Sequence, residues 1–344
     1  MAVELNTDQE KFQTSGVSVV SAAHSVHDTY TAFLPALLPL LIEKFTLSNA
    51  TAGLLSVFLQ MPSLLQPLIG HLADRRNLRY FIILTPAITG AAMSLLSIAP
   101  AYSFLIFLLV IAGLSSAALH AVGPILAGTF AGNRLGRGMS FWMVGGEMGR
   151  ALGPLVVVSA VQYLTMDGLP WLMLAGVLVS VFLYNQLKDI STQPRNTGNG
   201  LPWRAAIKSM LPIMLPLFVL IFTRAMMVST FSTFLPTFLT SEGASLWVAG
   251  ASLSILEAAG VVGAFLAGSL SDWLGRRRML LISFIATPIC MLLFTQTQGV
   301  LQVPFLMLMG FFGISVTPVL MAIVQENFPE NRSLANGVYM AFNF

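Results

Sequence analysis

The sequence predicts an all-helical membrane protein built as a twofold repeat, and three observations carry that prediction. Hydrophobic residues make up 56% of the 344 and charged residues 9%, where a soluble domain has about 45–50% and about 25%. Apolar runs such as 81–99, 103–131 and 170–187 each approach the roughly 20 residues with which a helix crosses a hydrocarbon core of about 30 Å; a barrel strand would instead alternate over about ten residues, and no such alternation occurs. Finally, the charged turn Gly70-His71-Leu72-Ala73-Asp74-Arg75-Arg76-Asn77-Leu78-Arg79 is written again as Gly268-Ser269-Leu270-Ser271-Asp272-Trp273-Leu274-Gly275-Arg276-Arg277, 198 residues later.

Taken in order, the first 16 residues form a polar tail, expected in the cytoplasm. The apolar stretch 17–42 is too long for a signal-peptide core and lacks a clear cleavage site, so it is expected to stay as the first span. Breaks at Gly, Pro and charge clusters then place spans at about 49–72, 79–99, 103–131, 137–163, 169–188, 209–239, 245–270, 278–296 and 302–325. An eleventh begins near Leu334 and is cut off at Phe344, so the second half is expected to be incomplete. The expected organisation is a bundle over 17–188, a polar cytoplasmic linker over 189–208 and a second bundle over 209–344.

The charges orient these spans. Apart from Lys44, Arg150 and Arg224, every Lys and Arg falls in the tail, the linker or the turns on the tail's side of the membrane, which places that side in the cytoplasm. Topology thus accounts for the net charge of +3, and no nucleic-acid partner is expected. The single cysteine, Cys290, excludes an intramolecular disulfide and a thiolate metal cluster. No P-loop, Gly-x-Ser-x-Gly or His-Glu-x-x-His occurs, so neither an enzyme nor an ATP-driven pump is expected.

The repeat reaches beyond the charged turn. Thr31-Ala32-Phe33-Leu34-Pro35 is echoed by Ser232-Thr233-Phe234-Leu235-Pro236, and Asn133-Arg134 by Asn331-Arg332, at offsets of 201 and 198. Six spans separate the copies. An even number points both halves the same way, which is the parallel repeat of two six-helix bundles.

These residues resemble the major facilitator superfamily, whose signature between the second and third spans is Gly, three residues, Asp, a basic residue, one residue, Gly and two basic residues, with a looser copy between the eighth and ninth. Gly70, Asp74, Arg75 and Arg79 match the first copy, with Asn77 and Leu78 departing from it; Gly268, Asp272, Gly275, Arg276 and Arg277 match the second, where Trp273 replaces a basic residue. More narrowly, His27-Asp28-Thr29-Tyr30 and Val144-Gly145-Gly146-Glu147-Met148-Gly149-Arg150-Ala151-Leu152-Gly153-Pro154 look like the fosmidomycin-resistance group of drug exporters. Gly149, Gly153 and Pro154 also match part of the Gly-Pro motif of proton-coupled antiporters, although Val157 and Val158 stand where that motif has Gly. The resemblance implies twelve helices, a central cavity lined by the first, fourth, seventh and tenth, and alternating access.

A charge in mid-membrane costs from about 2.5 to more than 10 kcal/mol, so each one needs a partner, water or a task. The candidates within spans are His24, His27, Asp28, His120, Glu147, Arg150, Arg224 and Glu257. His24, His27 and Asp28 stand at i, i+3 and i+4 and share one helix face. With the cavity that the resemblance implies, His120 and Arg224 approach the same space. A carboxylate beside histidines and an arginine suits a proton-linked anion site, because His titrates near neutrality and Arg stays charged; the plainer alternative has the histidines bonding neighbouring helices. Glu147 and Arg150 are close enough to pair, and Glu257 either pairs with an arginine or holds a proton. Gly145, Gly146, Gly149 and Gly153 permit a close helix neighbour, expected to be the eighth span with Gly260, Gly263 and Gly268.

The expected function is a secondary transporter of the inner membrane, multi-pass and monomeric, exporting a small drug-like or anionic solute against protons. An organic-anion importer or symporter, and a transport-inactive sensor or scaffold, are the alternatives. No metal site or cofactor is expected; the proton gradient supplies the energy. Gly70, Asp74, Arg75, Arg79, Gly268, Asp272, Arg276 and Arg277 form the gating motif, in which Asp74 accepts a helix N-terminal dipole from the other half and latches the cytoplasmic side. Asp74→Asn is therefore predicted to shift the protein towards its inward-open state, read as changed labelling of introduced cysteines from the two sides; unchanged labelling contradicts the latch.

Overall fold

The computed structural model describes residues 11–73, 77–132, 134–190, 203–328 and 339. Among them there are helices and connecting turns but no strand. The helices are α1 (Thr14–Thr31), α2 (Phe33–Phe45), α3 (Asn49–Gln60), α4 (Gln66–Ala73), α5 (Arg79–Ser94), α6 (Tyr102–Ala131), α7 (Leu135–Gly168), α8 (Met173–Leu187), α9 (Trp203–Ser241), α10 (Leu246–Leu274), α11 (Arg276–Gln296) and α12 (Gln302–Asn327).

Two expected spans are broken, and proline explains both breaks. The first divides at Ala32 into α1 and α2, because Pro35 has no N–H for the Thr31 carbonyl and its ring crowds that carbonyl; the Ala32 N–H keeps its helical bond to the Asp28 carbonyl and also reaches that of Tyr30. The second divides at a 3₁₀ turn, Met61–Leu65, that carries Pro62 at its start. Among the described residues seven stretches are long and apolar enough to cross a membrane, including a 51-residue run, Arg137–Leu187, that covers the expected fifth and sixth spans. Within that run Thr165 adopts φ 61° and ψ 178°, a kink that ends the regular part of α7, and a 3₁₀ turn, Leu169–Leu172, leads into α8.

Elsewhere the expected boundaries shift by a few residues. Ser245 caps α10 by accepting from the Val248 N–H at 3.3 Å. Gly275, with φ 89°, turns α10 into α11, a conformation that suits the glycine of the motif. The linker expected over 189–208 is shortened by α9, which starts at Trp203, and residues 191–202 lie outside the described residues, as do 1–10 of the tail. Leu334, where an eleventh span was expected to start, also lies outside them. Tyr339 is described: it is buried and donates its hydroxyl to the Thr317 carbonyl at 3.1 Å.

The chain packs as two compact units. The first comprises Met1–Phe33, Leu54–Gly153 and Ala160–Asn196, the second Leu34–Gly53, Pro154–Ser159 and Thr197–Phe344. In the first, α5 lies against α1, α6 and α8, with Val20, Ile83, Leu119, Val122, Trp142 and Leu183 in its apolar core. In the second, α12 packs against α10 and α11 around Met214, Ile221, Val316 and Leu320. Leu178, Val181 and Phe182 on α8, and Leu281, Ile285 and Leu292 on α11, are exposed. Rows of bare aliphatic residues along long helices face a solvent as apolar as themselves, which is the requirement of a bilayer.

Among the described residues the glycine-rich stretch of α7 faces α1 rather than the expected eighth span, α10, which meets α7 further along, where Gly250 lies against Val158. Gly145, Gly149 and Gly153 lie against the carbonyls of Ser21, Ser25 and Thr29 on α1, so a Cβ at any of the three would stand closer than 3.0 Å to backbone. Both rows repeat every four residues, so the two helices meet in register along a narrow ridge, and bare Cα groups facing carbonyls allow weak C–H···O contacts. Gly260 and Gly263 of α10 are spent on α12, against Ile314 and Phe311. Gly149→Ala is predicted to destabilise the purified protein by about 1–3 kcal/mol, the usual cost of overpacking, and to lower its thermal midpoint in detergent; the exposed neighbour Met148→Ala is the control. Equal midpoints for the two variants contradict the seam.

Candidate functional site

The α1–α7 seam sets up a polar cluster inside the first unit. His24, His27 and Asp28 project from α1 and are all buried, His27 completely. His120 comes from α6 and Trp142 from α7. The His24 ring stacks on the Trp142 indole, with centroids 3.8 Å apart and planes at 17°, and occupies the space that a side chain at Gly146 would fill. Gly146 therefore seats the imidazole.

Hydrogen bonds fix the ring tautomers. His24 Nδ1 lies 2.9 Å from the Trp142 carbonyl oxygen, and His120 Nδ1 lies 2.9 Å from the Ser116 carbonyl oxygen. A carbonyl can only accept, so both Nδ1 atoms carry the proton and donate it. In the neutral rings each Nε2 is left with a lone pair. These two atoms face each other at 3.2 Å, and Asp28 Oδ2 lies 3.4 Å from His24 Nε2 while Asp28 Oδ1 lies 4.0 Å from His120 Nε2. Three acceptors thus converge in a largely buried space with no donor among them, an arrangement that a proton or another cation relieves. On the other side of the carboxylate, His27 Nε2 stands 3.8 Å from Asp28 Oδ1, and neither of its ring nitrogens has a hydrogen-bond partner among the described residues.

The remaining candidates separate. Glu147 and Arg150 form an ion pair along α7, as their spacing predicts. Glu257 on α10 accepts from the Ser232 hydroxyl of α9 at 3.2 Å, and Ser232 with Thr287 and Gly313 helps line a small cavity inside the second unit. Arg224 lies on α9, also in the second unit. The structure therefore gathers His24, His27, Asp28 and His120 within one unit and places Arg224 and Glu257 in the other. Sequence reasoning missed Trp142, Ser116 and Gly146. The i, i+4 steps from Ser116 to His120 and from Trp142 to Gly146 were the available signals, but neither names its partner on α1.

Of the gating motif, Asp74 and Arg75 lie outside the described residues, and Gly70 and Gly268 fall within α4 and α10. Asn77 Oδ1 accepts from the Arg79 N–H at 3.2 Å, and the Arg79 guanidinium reaches the Ile190 carbonyl beyond α8 at 3.4 Å. In the second copy Arg276 bonds Glu326 at 2.8 Å and pairs with Asp272, tying together the ends of α10, α11 and α12; Arg277 is exposed.

Comparison with known proteins places this architecture. The profile of the Major Facilitator Superfamily matches residues 20–344. The chain is 25% identical over 340 residues to the Fosmidomycin resistance protein of Escherichia coli (strain K12), covering 95% of this chain and 82% of that one. It is 25% identical over 363 residues to the uncharacterized MFS-type transporter YfnC of Bacillus subtilis (strain 168), covering 100% and 88%. A crystal structure of a mutant of the nucleoside transporter NupG superposes with a TM-score of 0.79 at 15% identity, over 95% of this chain and 87% of that chain. A multi-pass helical chain with two copies of the signature turn, matched by the family profile over nearly its whole length, belongs to the Major Facilitator Superfamily of secondary transporters.

Proposed function

We propose that this transporter exports a small drug-like or anionic solute across the inner membrane, with its N-terminus in the cytoplasm, by exchanging it for protons. The observation that supports coupling is the convergence of His24 Nε2, His120 Nε2 and the Asp28 carboxylate. With both Nδ1 atoms committed to carbonyls, an added proton is held between the two Nε2 atoms and its charge is balanced by Asp28. Losing that proton leaves three mutually repelling acceptors, which favours a rearrangement of α1 against α6. Such a difference between loaded and empty states is what couples an ion to alternating access. Arg224 offers a fixed positive charge to an anionic solute, and the relative named for resistance to fosmidomycin supports efflux of a drug-like compound. The chain is taken to act as a monomer in the bilayer, without nucleic acid or cofactor, drawing on the proton gradient.

In proteoliposomes with an imposed pH gradient, Asp28→Asn is predicted to abolish solute-driven proton movement while leaving the protein folded; proton movement at the wild-type rate contradicts the role of Asp28. Arg224→Ala is predicted to weaken the binding of an anionic solute by roughly 10-fold or more, the loss of one charge-assisted contact of about 1.5–3 kcal/mol. Unchanged affinity removes Arg224 from the site. Direction follows from uptake into everted vesicles: accumulation supports export, and accumulation only in right-side-out vesicles supports an importer.

A further inference from the structure

We propose that His24, His120 and Asp28 also form a binding site for a divalent transition-metal ion of the zinc class. This departs from the sequence, which gave no reason to expect a metal, and it does not rest on the transport reading above, since it concerns equilibrium binding to the resting protein.

The donor atoms of the three residues all lie within 4.8 Å of one another. A tetrahedral ion with bonds of about 2.0–2.1 Å holds its ligand atoms about 3.3–3.4 Å apart. The observed separations from His24 Nε2, 3.2 Å to His120 Nε2 and 3.4 Å to Asp28 Oδ2, bracket that value. The third edge is longer: His120 Nε2 lies 4.0 Å from Oδ1, so the carboxylate has to turn to bring one oxygen within range of both imidazoles.

The surrounding shell is that of a metal site. Ligating histidines donate their other ring N–H to a carbonyl or carboxylate, which fixes the tautomer and aims the lone pair. Both histidines do this, to Trp142 and Ser116, and stacking on Trp142 holds the His24 ring in its plane. An independent observation is His27. Its imidazole is completely buried with both nitrogens unpartnered, and it faces the carboxylate oxygen that does not face His24. A carboxylate that gives Oδ2 to an ion leaves Oδ1 on the side of His27, 3.8 Å from its Nε2.

Two imidazoles and one carboxylate select zinc, cobalt or nickel over magnesium or calcium, which prefer all-oxygen cages. Asp28 compensates one charge of the dication. His120 keeps 14% of its side chain exposed, against 5% for His24 and Asp28. Three protein ligands leave one position for water, the pattern of an exchangeable rather than a structural site.

The experiment uses the full chain in detergent with any affinity tag removed. Co²⁺ alone is titrated and followed by visible absorption, then displaced with Zn²⁺, whose binding is measured by calorimetry. One equivalent of Co²⁺ giving the intense spectrum of a tetrahedral site, displaced by Zn²⁺, supports the proposal. Only the weak spectrum of hydrated Co²⁺ overturns it. His120→Gln and His24→Ala are each expected to weaken Zn²⁺ binding by about 10- to 100-fold or more; undiminished affinity in His120→Gln, the variant least able to disturb folding at its partly exposed position, also overturns it. Either failure leaves the proton reading standing, because that reading is tested by flux.

Discussion

Asp28 sits beneath the surface of a helix bundle, where water cannot compensate its charge, and the first unit is arranged around that fact. A buried carboxylate left bare costs several kilocalories per mole, and the imidazoles around Asp28 offset that cost only when the cluster takes up a positive charge. Each imidazole in turn needs its second nitrogen satisfied, and the carbonyls of Trp142 and Ser116 meet that need from two other helices. One charge thus dictates the rotamers of two histidines and the packing of α1, α6 and α7. Taken as neutral rings, the cluster is short of one positive charge, and that deficit underlies both the proton and the metal readings.

The second dependency is mechanical. α1 and α7 approach closely because Gly145, Gly149 and Gly153 leave room for the carbonyls of Ser21, Ser25 and Thr29. The same register brings Gly146 opposite His24 and Trp142 alongside its ring. A side chain on this ridge separates the helices and takes the Trp142 carbonyl out of reach of the imidazole. Packing and electrostatics are therefore one problem in this region. The break at Ala32 falls one turn beyond Asp28.

Much of this was legible in the sequence wherever the information is local or repeated. Membrane class, the all-helical fold and the duplicated turn follow from hydropathy and from residues 198 apart. The grouping of His24, His27 and Asp28 follows from helical spacing alone, and the Glu147–Arg150 pair from its i, i+3 separation. Long-range pairing was less legible. Small residues on α7 announce a close neighbour but do not name it, so the eighth span was as good a candidate as α1 until the facing carbonyls were placed. The tautomers of His24 and His120 depend on carbonyls 118 and 4 residues away, and only the nearer is visible as a pattern. Ser232 as the partner of Glu257 was hidden for the same reason. The breaks at Ala32 and Pro62 were written in the prolines, but a hydropathy count runs straight through them.

The central claim is that His24 and His120 both carry their proton on Nδ1 and turn Nε2 towards each other and towards Asp28. ¹⁵N magnetic resonance of the histidine side chains, assigned with single His variants and recorded at alkaline pH in the absence of metal, tests it most directly. The account predicts that both rings carry their proton on Nδ1 and that both Nε2 signals lie in the lone-pair range. A proton on Nε2 of either ring under those conditions contradicts it.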